Sequence, residues 1–231
     1  MLLKAMDPTQ NVTLDIIPGS TGDTVTIDYV TPNSNQPGKF GNCVCLWQAG
    51  DTVPWGDEPQ QHQAINGTSR QGSVVFNNLD MGKNDYIIGY AVGGETDNFI
   101  KYGNVCATAY LPQGSQKDTS KIQYFSTKIA PQVNRTSINV NFNVTPGVLP
   151  KTNGAWAALW RSKTNPYLNP IYDQVSAVPI DGDEGSVTFN DVTLVTGVTY
   201  TLAFMMSGWN EKTKKPTCQT TIAAVSTFKI D

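Results

Sequence analysis

The sequence contains one long segment twice. Sliding the chain against itself by 113 residues pairs identical residues at ten positions between 41 and 77, without a gap. The ten positions in the first copy are Gly41, Leu46, Trp47, Gln61, Ala64, Gly72, Ser73, Val74, Phe76 and Asn77. One inserted residue later the register resumes, with Tyr86 opposite Tyr200 and Gly94 opposite Gly208. Because a period this long indicates domain duplication rather than a solenoid, we expect two homologous domains, at residues 10–113 and 120–231.

Each copy contains seven short runs typical of β-strands, separated by turn residues, and shows no amphipathic helical pattern. The runs of the first copy are NVTLDII, DTVTIDYV, NCVCLWQ, a weak run near HQAI, SVVFNNL, DYIIGYAV and NVCATAYL. Those of the second are IQYFSTKI, SINVNFNV, AWAALWR, QVSAV, SVTFNDV, TYTLAFMM and QTTIAAVSTF. The 26 Thr and 19 Asn residues agree, since Thr favours strands and Asn favours turns. The predicted fold class is all-β, with two tandem seven-stranded antiparallel β-sandwich domains.

The segment between the fifth and sixth runs carries a family resemblance. In both copies a strand ends in an apolar residue, a Gly-containing turn follows, and a tyrosine (Tyr86 or Tyr200) begins the next alternating strand. This order resembles the strand E, loop and strand F segment of fibronectin type III and immunoglobulin-like domains. The resemblance implies that each tyrosine hydroxyl bonds back to the backbone of the preceding turn. It covers the architecture of both copies and implies no function.

The third run of each copy is apolar on both faces. In AWAALWR the alternate residues Trp156, Ala158 and Trp160 are apolar, and so are Ala157 and Leu159. A sandwich strand with one face in water would alternate apolar and polar residues, so both faces must be covered. Packing against the other domain or a second subunit is the favoured cover; a ligand, or burial under long loops, is the alternative.

Composition excludes two partner classes. The net charge is −3 and no basic stripe is present, whereas nucleic-acid binding needs clustered Lys and Arg. No apolar run approaches the roughly 20 residues that span a bilayer, so no membrane insertion is expected. The opening MLLKAMDP lacks a signal-peptide core.

The four cysteines favour buried thiols over disulfides. Cys43 and Cys45 would share one face of a strand and are badly placed to bond each other. A bridge from either to Cys106 is the alternative, and would leave Cys218 over. The thiol interpretation favours a cytoplasmic location or non-classical export. A zinc site is not expected. Structural zinc sites usually take two closely spaced pairs of Cys or His ligands, and Cys43 and Cys45 have no second pair.

No catalytic constellation is recognisable, and we predict a non-enzyme without cofactor or metal. The only histidine, His62, is expected to be an exposed strand or loop residue. No nucleophile-elbow, phosphate-loop or HExxH pattern occurs. Asp57 and Glu58 are adjacent in one turn, and so are the acids of DGDEG at 181–185, whereas a glycosidase needs two carboxylates across a cleft. DGDEG could supply calcium ligands, but a solvated acidic turn is favoured.

Aromatic residues in loops are the candidate ligand contacts. Trp55 follows the third strand of the first copy, Tyr167 occupies nearly the same place in the second, and Trp209 lies between the sixth and seventh strands. Phe99 and Tyr102 lie in the loop corresponding to that of Trp209. An exposed ring can stack on a sugar face while polar neighbours bond its hydroxyls. The predicted ligand-binding residues are therefore Trp55, Asp57, Asn165, Tyr167, Trp209 and Asn210. The alternative is that these rings pack beneath their own loops.

Two functional hypotheses follow. The first is a lectin-like or adhesin-like binding protein that recognises a glycan or a protein receptor, with avidity from the duplication. On this hypothesis Trp55→Ala or Trp209→Ala weakens binding and leaves the melting temperature nearly unchanged. The second is a structural, self-assembling protein, a homo-oligomer formed through the apolar outer face of the third strand.

Overall fold

A computed structural model describes residues 3–5, 9–93 and 102–231. Gly94 and Phe99 lie outside the described residues. The regular secondary structure of the described part is all strand except for one short 3-10 helix at Thr119–Lys121. The strands are β1 (Leu3–Ala5), β2 (Gln10–Asn11), β3 (Thr13–Pro18), β4 (Thr24–Val30), β5 (Cys43–Trp47), β6 (Gln61–Ala64), β7 (Gln71–Asn77), β8 (Tyr86–Ala91), β9 (Val105–Leu111), β10 (Gln123–Ser126), β11 (Lys128–Val133), β12 (Ile138–Asn143), β13 (Trp156–Trp160), β14 (Gln174–Ala177), β15 (Glu184–Phe189), β16 (Thr199–Met205), β17 (Trp209–Asn210), β18 (Lys215–Pro216) and β19 (Ile222–Ile230).

All strand pairs are antiparallel, and the sheets of the two copies correspond. The first copy forms a three-stranded sheet β3-β4-β7 and contributes four strands to a five-stranded sheet β10-β9-β8-β5-β6, in which β10 comes from the second copy. The second forms β11-β12-β15 and the sheet β1-β19-β16-β13-β14, to which β2 adds beside β19. The prediction of an all-β sandwich fold is confirmed.

The three-stranded sheets show why alternating sequences form these strands. In β4 the residues Val25, Ile27 and Tyr29 are buried while their neighbours are partly or fully exposed. β12 repeats the pattern with Ile138, Val140 and Phe142. Since strand side chains alternate between faces, one face of each sheet packs inward and the other contacts solvent.

A tyrosine closes the same corner in both copies. The Tyr86 hydroxyl accepts a hydrogen bond from the Asp80 backbone N–H at 3.0 Å. The Tyr200 hydroxyl accepts from the Val195 N–H at 2.9 Å and donates to the Thr193 carbonyl at 3.4 Å. Both tyrosines are fully buried, so these bonds satisfy hydroxyls that would otherwise be unpaired in the core.

Each copy completes the larger sheet of the other. The segment before the first long strand of the first copy, β2, pairs with β19, and the corresponding segment of the second copy, β10, pairs with β9. The exchange occurs at matching points, where the Val12 N–H donates to Ala223 O at 3.4 Å and the Thr127 N–H donates to Cys106 O at 2.8 Å. The runs NVTLDII and IQYFSTKI are therefore each divided between two sheets.

Candidate functional site

The outer face of β13 is covered from within the chain. Trp156, Ala158 and Trp160 are buried in a cluster of their own on this face. Its cover includes Tyr167 and Tyr172 from the loop after β13, together with Phe40 from the first copy. Coverage of both faces is thus confirmed, by the strand's own loop and by the other copy together. A second subunit is not needed to bury this face.

Trp55 lies between the two copies. Its ring is 9% exposed, and its indole Nε1 donates to the Pro146 carbonyl at 3.1 Å. A Cβ at the next residue, Gly147, would stand 2.7 Å from that nitrogen, and the φ of Gly147 is +80°. Both the close approach and the left-handed backbone require glycine here. The expectation of an exposed ring at Trp55 is therefore corrected.

Tyr167 makes the reciprocal contact. Its ring is 7% exposed and stacks on Phe40 of the first copy, with centroids 5.4 Å apart and planes 7° from parallel. Burial raises the pKa of the Tyr167 hydroxyl, which therefore stays neutral. The expectation of an exposed ring is corrected here too. Tyr167 packs on the loop that follows β4 of the first copy, just as Trp55 packs on the loop that follows β12 of the second copy.

Two polar residues predicted beside these rings serve their own loops. The Asp57 carbonyl accepts from Trp47 Nε1 at 3.1 Å, while the Asp57 side chain is exposed. The Asn165 side-chain oxygen accepts from the Tyr167 backbone N–H at 3.1 Å, which fixes the turn before the ring. Asn165 also lines a cleft of about 520 Å³ between the copies, with Arg70 among the other lining residues. The structure does not join Trp55, Tyr167 and Trp209 in one site.

Trp209 is the predicted aromatic that remains accessible. It lies in a short ribbon of β17 and β18, and its backbone N–H donates to Gly154 O at 2.9 Å. The ring is partly buried and borders a cleft of about 360 Å³. We call this the Trp209 cleft; it is lined by Lys151, Ala155, Val175, Ser176, Ala177, Val178, Pro179, Trp209, Glu211 and Lys214.

Charged groups fix the edge of the Trp209 cleft. The indole Nε1 donates to Glu211 Oε2 at 3.1 Å, and Lys214 forms an ion pair with the same carboxylate. The Lys214 hydrogen bond, helped by that of Trp209, lowers the pKa of Glu211, so this carboxylate is ionised at neutral pH. The Asn210 side-chain oxygen accepts from the Lys212 and Thr213 N–H groups, each at 3.0 Å. Asn210 therefore stabilises the turn between β17 and β18. The cleft itself is lined by the Trp209 indole and by charged side chains.

A larger groove was not foreseen from the sequence. It has a volume of about 1000 Å³ and crosses β11, β12 and β15. We call it the sheet groove; its lining is Thr9, Asn11, Lys128, Ile129, Ala130, Asn141, Phe142, Asn143, Pro179, Ile180, Glu184, Gly185 and Ser186. The only sequence signal was the Asn-rich alternation of NVNFNV, which places asparagines on the outward face.

The acidic turn DGDEG braces a neighbouring loop. The Asp181 carboxylate accepts from the Thr152 N–H at 2.8 Å and from the Thr152 hydroxyl at 2.7 Å. Asp183 Oδ1 accepts from the Gly147 N–H at 2.8 Å. These bonds give two of the acids a structural role, in a turn that stays largely solvent-exposed as expected.

The cysteines and the histidine lie apart from the two clefts and the groove described above. All four cysteines lie in the described part of the chain and none forms a disulfide; Cys43 and Cys45 Sγ are 4.0 Å apart. Burial raises the pKa of the Cys106 thiol. His62 is exposed, as expected, and Tyr102 is buried edge-on against Trp47. Within the described ranges, no cluster of three acidic, His or Cys side chains is placed to hold a metal ion, and no helix has the length and apolarity to cross a membrane.

Comparison with solved structures gives distant likenesses to this chain. No protein-family model matches this chain, and no curated protein matches it. A crystal structure of a DUF3823 family protein from Parabacteroides merdae is similar at 12% sequence identity, covering 87% of this chain and 92% of that chain, with a TM-score of 0.32. A likeness this distant assigns neither a family nor a function.

Proposed function

We propose that this chain is a non-enzymatic, lectin-like or adhesin-like protein that recognises a glycan through the Trp209 cleft. On this proposal the chain is a tandem pair of immunoglobulin-like or fibronectin type III-like domains, at 10–113 and 120–231. No cofactor or metal takes part in recognition.

The observation that carries the proposal is the state of the Trp209 ring. The other two loop aromatics, Trp55 and Tyr167, are buried between the copies, whereas Trp209 keeps part of its surface open to a cleft. An accessible indole face suits the C–H face of a sugar ring, and charged or hydroxyl groups beside it suit the sugar hydroxyls. Ser176, Glu211 and Lys151 line the same cleft. Its volume of about 360 Å³ suits a ligand of one or two sugar rings.

A glycan array tests the proposal. The native protein is expected to give defined glycan signals, and Trp209→Ala to reduce them at least about tenfold, which is about 1.4 kcal/mol of binding free energy. Tyr124→Ala is the matched control, because Tyr124 is an aromatic residue 50% exposed outside the cleft. A silent array, or an equal loss in the two variants, would contradict the proposal.

An exposed apolar loop favours a second function, self-assembly or docking to a protein receptor. Leu168 and Ile171 are 69% and 79% exposed in the loop after β13. Contiguous exposed apolar patches mark contact surfaces, and these two side chains lie in one loop. The outer face of β13, the original reason for this hypothesis, is buried within the chain. A native mass above that of a monomer, reduced to the monomer by Leu168→Ser with Ile171→Ser, would support self-assembly.

A further inference from the structure

We propose that the sheet groove is a second binding site, specific for a neutral oligosaccharide lying across β11, β12 and β15. The proposal builds on the glycan-binding function proposed above and adds a site separate from the Trp209 cleft. It rests on three features of the groove: the rows of polar side chains across the strands, the side chains that make no hydrogen bond within the protein, and the balance of positive and negative charge.

The strand register arranges the polar side chains in two rows. One row pairs Lys128 with Asn143 and Asn143 with Glu184. The other pairs Ala130 with Asn141 and Asn141 with Ser186. Neighbouring strands lie about 4.8 Å apart, so the first row presents three polar side chains and the second row two, at intervals that hydroxyls of an oligosaccharide can span.

The side chains of Asn141 and Ser186 make no hydrogen bond within the described part of the protein. The two residues are direct partners on the neighbouring strands β12 and β15. In the first copy the matching residues are Asp28 and Ser73, and there the Ser73 hydroxyl donates to the Asp28 carboxylate. The second copy therefore leaves open the hydrogen-bonding capacity that the first copy uses internally. The half-buried amide of Asn141 and the exposed hydroxyl of Ser186 beside it can both bond to a ligand that supplies donors and acceptors.

The charges of the groove balance. Lys128 and Glu184 stand at the two ends of one row, and between them Asn143 Nδ2 donates to Glu184 Oε1 at 2.6 Å. One cation and one anion give no net attraction for a charged ligand, so a neutral ligand fits best. The volume of about 1000 Å³ exceeds the need of a single sugar ring, which favours an oligosaccharide.

An oligosaccharide fits this surface better than a peptide does. Extended peptides bind sheets by adding a strand along an edge, where backbone N–H and C=O groups are unpaired. The polar rows instead cross all three strands, and the central strand β12 has both of its edges paired, with β11 and β15. Amide and hydroxyl side chains standing on a sheet face match the hydroxyl groups of a sugar chain.

NMR titration with four linear neutral probes tests the site: maltohexaose, cellohexaose, xylohexaose and mannohexaose. At least one probe is expected to shift the backbone and side-chain amide resonances of Asn141 and the backbone amide of Ser186. Asn141→Ala with Ser186→Ala should weaken that probe's binding about tenfold. Asp28→Ala with Ser73→Ala, the matching pair of the first copy, is the control and should leave the affinity unchanged.

The outcomes separate the two sites. No groove shift with any of the four probes, or shifts that persist equally in the Asn141/Ser186 variant, would overturn the groove proposal. The Trp209 indole N–H resonance reports independently on the Trp209 cleft. Movement of that resonance alone would leave the proposed function in place while removing the second site.

Discussion

At the residue scale, the sequence identified the notable aromatic rings but not their environments. Trp55 and Trp209 both stand in polar loops beside Asp, Asn or Glu, and nothing local distinguishes them. What buries Trp55 is Pro146, 91 residues away in the chain. Contacts at such separation depend on how the two copies dock, which strand and turn patterns do not encode. The exposed position of His62 was predictable because its surroundings are polar on every side.

Trp55→Ala and Trp209→Ala are expected to differ sharply in stability. Removing a buried tryptophan costs about 3 kcal/mol or more, so Trp55→Ala should lower the free energy of unfolding by that amount. Trp209→Ala should cost no more than about 1 kcal/mol, because its ring is only partly buried. Chemical denaturation of both variants measures the difference. Equal losses would show that the two rings have equivalent environments.

The Trp209 indole resonance should respond to pH through Glu211. Hydrogen bonding to Lys214 lowers the pKa of this carboxylate, so the charged contact exists at neutral pH and is lost as the pH falls through the folded-state pKa. We expect the indole N–H resonance to move on acidification with a midpoint below that of an ordinary glutamate. Lys214→Met should raise the midpoint. A midpoint at or above the ordinary value in the native protein would contradict the contact.

At the element scale, the alternation of apolar and polar residues predicted where the strands lie. It did not predict which strands pair with each other. The seven runs of each copy correspond to strands, and the tyrosine corner bonds implied by the resemblance are present. The break at Val12 and its counterpart at Thr127 were missed, because an extended chain that leaves one sheet for another keeps the same period of two. The ribbon of β17 and β18 was missed for another reason, since two-residue strands carry no period.

A glycine opposite a ring is an element-scale feature repeated in both copies. A Cβ at Gly72 would stand 2.6 Å from Tyr29 Oη, and one at Gly185 would stand 2.7 Å from Phe142 Cζ. Gly72→Ala and Gly185→Ala should each lower the free energy of unfolding by about 1–3 kcal/mol, because the ring must shift in a packed core.

Gly67→Ala is the matched control for these variants. A Cβ at Gly67 would meet nothing within 4 Å, so this change should be neutral or slightly stabilising. Denaturation midpoints of the three variants provide the comparison. If Gly72→Ala and Gly185→Ala proved as mild as Gly67→Ala, the ring contacts could not be as close as described.

At the scale of the whole molecule, the duplication predicted two similar copies but not their exchange of edge strands. One hydrophobic cluster contains buried residues of both copies, and hydrogen bonds such as Asn153 Nδ2 to Gly103 O at 2.8 Å join them. We therefore expect a single calorimetric unfolding transition, with equal calorimetric and van't Hoff enthalpies. Two resolved transitions would show that the copies are energetically independent.

The most direct test of the central claim is an NMR titration of the indole N–H resonances with a glycan identified on the array. Four of the five tryptophans, Trp47, Trp55, Trp156 and Trp160, donate to backbone carbonyls in buried positions. Trp209 donates to a side chain at an open cleft. Glycan recognition at this cleft predicts that the Trp209 resonance moves and the other four stay in place. A bound glycan that leaves the Trp209 resonance unmoved would contradict the claim.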